Sequence, residues 1–204
     1  MVFAKVISAA VEGAVDEAVV RKLVDLVGGR TGGVYGKNGR PALRQRIDGY
    51  NNAARHSPWV VLVDLENEAD CAPPIRDEWV PAPAPNLCFR VVVRAVEAWL
   101  MADQQTLASY LSVRPARITE VPEGVDHPKD EMVALARQSR RKDILQDMVP
   151  RERSGRRVGP AYSSRLIEYV QEHWRPEVAA RRSESLQRAI RCLRRLVDTN
   201  REKV

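Results

Sequence analysis

The chain alternates between short unbroken apolar runs and longer stretches whose apolar residues recur at helical spacing. Residues 2–11, rich in Val, Ile and Ala, predict a first strand. Gly13 permits a sharp turn. Val15, Val19, Leu23, Leu26 and Val27 then predict a helix over 15–27, ended by Gly28-Gly29. Residues 32–40 read as a glycine-rich loop around a candidate short strand, and Pro41 opens a second helix running through Leu43, Ile47 and Tyr50 to about His56. The apolar run over 59–64 predicts a central parallel strand buried on both faces. A helical stretch from Pro73 to Val80, a proline-punctuated spacer over 81–85 and a strand over 87–93 follow, and from Val96 the pattern turns helical through Trp99, Leu100, Leu107 and Leu111. This alternation predicts an α/β fold with a parallel sheet. Beyond residue 112 the pattern is helical, with a helix start at Asp126–Glu131, a basic loop over 151–160 and helices over 162–174 and 183–198. We therefore expect an α/β core over residues 1–112 and a helical extension over 113–204 packed on it.

The two strongest strands end in the same way. One runs into Val11-Glu12-Gly13-Ala14-Val15-Asp16-Glu17 and the other into Val63-Asp64-Leu65-Glu66. Open α/β sheets bind ligands beyond the carboxyl ends of their strands, and Mg²⁺ prefers carboxylate oxygen and water. Carboxylates converging from separate segments are what metal-assisted phosphodiester chemistry requires. The candidates are Glu12, Asp16, Asp64, Glu66 and Glu97. Each also has a plainer reading: Asp16 and Glu17 suit a helix N-terminus, and Glu97 suits a helix surface. Glu68 and Asp70 read as loop charges.

Composition narrows the class without naming the chemistry. A content of 44% hydrophobic and 29% charged residues is ordinary for a globular protein. No apolar run approaches the ~18 residues that span a bilayer, and the N-terminus has no secretory pattern. Cys71, Cys88 and Cys192 are far apart and form no CxxC pair, so neither a disulfide framework nor structural zinc is expected, and a reduced cytoplasmic protein is. Charge is uneven: residues 134–204 hold 18 Lys+Arg against 9 Asp+Glu, while the remainder holds 15 against 18. Cations in front and polyanion behind would suit that split, as would a solvated Arg-rich surface.

The strand-end motifs resemble the Toprim domain of topoisomerases, DnaG-type primases and OLD-family nucleases. There a Glu follows the first strand, an Asp-x-Asp follows a later one, and together they hold Mg²⁺. The longer pattern is similar to a bacterial domain family placed among Toprim-like proteins. It includes Pro85-Asn86-Leu87, Arg94-x-x-Glu97-Ala98-Trp99-Leu100, Asp126-His127-Pro128-Lys129, Arg151 to Tyr162 and the Arg-rich C-terminal helices, and so covers nearly the whole chain. The resemblance implies a Toprim-like parallel-sheet core and a nuclease using Mg²⁺, or Mn²⁺. Glu12 would be ligand or general acid–base and Asp64 the central ligand. Glu66 stands where the second Asp is usual, which alters the geometry. Asp16 and Glu97 match further acids of OLD-type nucleases. Proteins of this kind often work beside a separately encoded ATPase in anti-phage defence or toxin-like systems.

The basic candidates carry less information. Lys37 and Arg40 lie in the glycine-rich loop and could hold phosphate. Lys129 could neutralise a phosphate or simply pair at a helix start. Arg151, Arg153, Arg156 and Arg157 with Tyr162 suit a DNA- or RNA-contacting loop in which Tyr162 stacks on a base. Trp59 and Trp99 read as core, and His56, His127 and His173 as isolated. Two further readings remain open: a non-catalytic module that docks on an ATPase or nucleic acid, and phosphotransfer on a small phosphoester.

Overall fold

The computed structural model of the chain describes residues 4–66 and 71–198. Four strands, β1 (Val6–Val11), β2 (Arg30–Gly36), β3 (Trp59–Asp64) and β4 (Leu87–Val92), form one parallel sheet in the order β2-β1-β3-β4. The third strand matches its expected limits, and the others differ by a few residues. Residues 2–3 of the first expected strand, and the readings of Glu68 and Asp70, lie outside the described residues.

The strand order decides where a ligand would go. From β1 the chain moves outward to β2, then returns to the other side of β1 to lay down β3 and β4. The reversal opens a crevice at the carboxyl ends of β1 and β3, the place where open α/β sheets bind ligands. Helix α1 (Ala14–Leu26) leaves that edge directly after β1.

Two expected segments differ in extent or continuity. The candidate short strand within the glycine-rich loop over 32–40 is a seven-residue edge strand, β2, that begins at Arg30. Its glycines weaken the strand signal, but Gly36 is required at its end: with φ of 88° and the Val11 carbonyl close by, a Cβ there would collide. The supposed helix from Pro41 to His56 is two short ones, α2 (Arg40–Gln45) and α3 (Ile47–Ala53), broken at Arg46. The helical pattern from Val96 divides similarly into α5 (Val96–Ala102) and α6 (Gln104–Leu111), after α4 (Ala72–Trp79). Asp103, at the division, turns its carboxylate to Arg175 instead of continuing the helix.

Helices cover both faces of the sheet. Ala10, Val61, Val63, Phe89 and Val91 pack with Leu43, Ile47, Tyr50, Ile75 and Trp79 of α2, α3 and α4. Ile7, Ala9, Val11, Val60, Leu62, Cys88 and Val92 face a larger cluster. That cluster includes residues of α1, α5 and α6 and of the C-terminal helices α7 (Pro128–Arg137), α8 (Lys142–Met148), α9 (Tyr162–Glu172), α10 (Pro176–Ala179) and α11 (Glu184–Asp198). The first 112 residues and the extension thus share one core. Trp99 and Trp174 anchor it: the Trp99 indole donates to Ser185 Oγ at 2.7 Å and the Trp174 indole to the Trp99 carbonyl at 3.3 Å. Burial of a large apolar side chain contributes about 1.5–3 kcal/mol, and satisfying each indole N–H avoids the desolvation cost that would offset it. Among the described residues no helix is long and apolar enough to cross a membrane.

Candidate metal centre at the carboxyl edge of the sheet

Four carboxylates gather at the crevice, each placed by a different element. Glu12 follows β1, Asp16 lies in the first turn of α1, Asp64 ends β3 and Glu97 lies in the first turn of α5. Asp16, Asp64 and Glu97 line one cavity of about 400 Å³ with Lys129, Arg157, Val158 and Tyr162. They are only 7%, 4% and 1% exposed. Asp16 Oδ1, Asp64 Oδ1 and Glu97 Oε2 are buried and have no hydrogen-bond partner. Buried polar atoms are nearly always paired, so three orphaned oxygens around one cavity mark it as a candidate ligand site.

The electrostatics agree. Burial pushes Asp64 well above the usual carboxylate range, and Asp16, Glu97 and Glu12 push it further, against the pull of Lys129. Burial likewise raises Asp16 and Glu97. Lys129, on the first turn of α7, is lowered by burial but raised on balance by Glu97, Asp64, Asp16 and Glu66. Its charge is felt across the cavity without a direct ion pair among the described residues.

Glu12 is arranged differently. Its Oε1 accepts the Asp64 backbone N–H at 3.0 Å and stands 3.6 Å from Arg40 Nη1. Burial pushes its carboxyl up to about 7, opposed by the Asp64 N–H and Arg40 and reinforced by Asp16 and Glu66. It therefore exchanges a proton near neutral pH, as a general acid or base must.

Glu66 is not in the buried cavity. It is exposed, has φ of 49°, and lines a neighbouring hollow with Arg94, Asp126, His127, Lys129 and Arg157. Arg94 holds the turn by donating to the Glu66 carbonyl at 3.0 Å. Lys129 and Arg157 border both spaces. Arg94 and His127 were not singled out as site residues by their chemistry; their sequence signal was proximity to Glu97 and Lys129.

The basic candidates separate. Arg40 points inward: it donates to the Asp64 carbonyl and lies over the Trp79 ring at 4.9 Å, so it braces the strand end. Lys37 pairs with Glu17 at 2.9 Å. Arg157 pairs with Asp130 at 2.9 Å at the cavity mouth. Arg151 and Arg156 line a separate hollow that shares Val158 with the acidic cavity, and Arg153 is exposed on the same loop. Tyr162 requires correction. It is 3% exposed and its hydroxyl donates to Glu97 Oε1 at 3.2 Å, so its ring is not available to stack on a base.

No family model, curated protein or solved structure matches this chain. The site must therefore be judged on its own geometry. Among the described residues no three His, Cys, Asp or Glu side chains form a ready-made metal cage. Mg²⁺ does not need one, because it usually keeps several waters and binds through one or two carboxylates. The carboxylates stand around a cavity, and three of their oxygens have no hydrogen-bond partner. That donor set fits a hydrated hard cation.

Proposed function

We propose that the protein is a Mg²⁺-dependent phosphodiester hydrolase acting on nucleic acid, with Mn²⁺ as an alternative metal. One observation carries the proposal: three buried carboxylate oxygens, from Asp16, Asp64 and Glu97, lack a partner around a single cavity at the switch point of a parallel sheet. Asp64, Asp16 and Glu97 would hold the cation, which when bound neutralises phosphate charge and lowers the pKa of water. Glu12, hydrogen-bonded to the Asp64 backbone and poised near neutrality, is placed to hold or release a proton. Tyr162 fixes the Glu97 carboxylate, and Arg40 fixes the carbonyl end of β3. Lys129 and Arg157 at the mouth would meet the phosphate, and the Arg151–Arg156 loop would extend that contact along the polymer. The resemblance to Toprim nucleases leads to the same reading and adds a separately encoded ATPase as partner in a bacterial defence or toxin-like system.

The test is cleavage of labelled single-stranded DNA, duplex DNA and RNA with Mg²⁺ or Mn²⁺, comparing wild type with Asp64→Asn. Metal-dependent cutting that Asp64→Asn lowers by about a thousandfold or more supports the proposal. Absence of cutting in the wild type on every substrate overturns it.

A second reading, a non-catalytic module docking on nucleic acid or an ATPase, draws on Glu66. That residue, in place of the usual Asp, is exposed beside the buried cavity, while Lys129 already supplies a positive charge there. Salt-sensitive binding without cutting would favour this module.

A further inference from the structure

Away from the acidic site, the seam between β4 and α11 gathers positive charge. Cys88, Arg90 and Val92 alternate on the face of β4 that α11 covers, so a guanidinium occupies a position flanked by buried residues. Opposite it, Arg188, Arg191 and Arg195 recur at helical spacing along one face of α11, and Arg194 stands beside them. Among the described residues these five arginines alone line a cleft of about 420 Å³.

Neutralisation is incomplete. Glu184 pairs with Arg188 and Glu177 with Arg194, both through exposed side chains that contribute little. Arg90 and Arg191 have no carboxylate partner among the described residues, and Arg90 Nε is buried without an acceptor. Like charges three and four residues apart on a helix repel, so the arrangement costs stability unless an anion occupies the cleft. The thiol of Cys192, on α11, is brought down chiefly by a hydrogen bond with Cys88, with Arg195 and Arg90 helping against burial.

We propose that the β4–α11 cleft is a phosphate-binding site, with Arg90 and Arg191 as its principal donors. A phosphate group is the anion class that matches it. It offers several acceptor oxygens and up to about two charges, and the planar guanidinium fork engages such oxygens two at a time. A carboxylate would leave most of the convergent donors unused. The phosphate comes either from a nucleic-acid backbone or from a free phosphoester, and the site does not depend on the metal centre or on cleavage.

The full chain is titrated in EDTA with inorganic pyrophosphate and, separately, with a 5′-phosphorylated thymidine oligonucleotide. Wild type is compared with Arg191→Gln, Arg90→Lys and the exposed control Arg55→Gln, which matches Arg191→Gln in net charge. Arg191→Gln and Arg90→Lys each weaken binding roughly tenfold, as expected for loss of one charge-assisted contact, while Arg55→Gln stays within about twofold. Loss for both probes, or for the oligonucleotide alone, makes the backbone the source of the phosphate. Loss for pyrophosphate alone makes the source a free phosphoester. The proposal is overturned if neither probe distinguishes the two variants from wild type, or if Arg55→Gln weakens binding equally. Arg191 is exposed, so its variant reports even if Arg90→Lys disturbs the seam.

Discussion

Two buried acids of this protein have opposite environments. Asp103 is wholly buried, yet its carboxylate is filled: Arg175 donates at 2.7 and 3.0 Å, the Arg175 backbone N–H at 3.0 Å and the Thr106 hydroxyl at 3.0 Å. Its carboxyl lies below the usual range; burial alone would raise it, but the Arg175 and Thr106 hydrogen bonds more than compensate. Asp64 is almost as buried, but one oxygen has no partner and like charges crowd it upward. Burial of an acid therefore does not mark a site. A buried acid with free oxygens beside a cavity does.

The largest effect that would break this contrast is expected at Asp103. Asp103→Ala should cost about 2–3 kcal/mol in urea unfolding, because it leaves Arg175 and Thr106 without their acceptor. A loss below about 0.5 kcal/mol would show that the filled acid is not structural. At the other acid, saturating Mg²⁺ should stabilise the wild type by about 2.7 kcal/mol near a hundredfold excess over Kd and should not stabilise Asp64→Asn. Equal shifts in the two proteins would place the cation elsewhere.

The sign of substitution should also differ between the two regions. In EDTA, Asp64→Asn should raise stability by about 1 kcal/mol by removing mutual repulsion, where Asp103 variants lower it. The pH dependence follows the same division. Glu12 rises from its ordinary 4.5 to about 7 on folding, so its contribution is fully present below pH 4.5 and is lost as pH rises through about 7. Asp64, Asp16 and Glu97 act in the same direction. Asp103 acts oppositely: its contribution is present above 3.8 and is lost as pH falls through its lower folded value. Metal-free unfolding curves at about pH 5 and about pH 7.5 should therefore show the site favouring the lower pH, and Mg²⁺ should reduce that preference. The smallest effect is expected at Tyr162. Tyr162→Phe should cost about 0.5–1.5 kcal/mol through the lost Glu97 hydrogen bond and leave oligonucleotide affinity unchanged; a marked drop in affinity would restore a direct contact.

Periodicity carried the fold a long way. The apolar run over 59–64 is β3 because a strand covered on both faces needs apolar residues on both sides. The acids at the ends of β1 and β3 were legible for the same reason: they interrupt those runs abruptly. Two kinds of feature were not. The extent of β2 was obscured by its glycines, and the roles of Tyr162, Asp103 and Arg90 depend on partners distant in sequence, Glu97, Arg175 and α11. Local spacing does not encode such contacts.

The sequence by itself determined the alternation of strands and helices and the identities of the acids at the sheet edge, because both follow from local periodicity and from where apolar runs stop. The tertiary structure decided which acids meet. It buried Asp16, Asp64 and Glu97 around one cavity, left Glu66 outside it, set Arg40 against the Asp64 carbonyl, gave Asp103 a full set of donors, and set Arg90 against the arginines of α11. A carboxylate's or guanidinium's role depends on the donors, acceptors and charges within a few ångströms, and those are brought together only when distant segments pack.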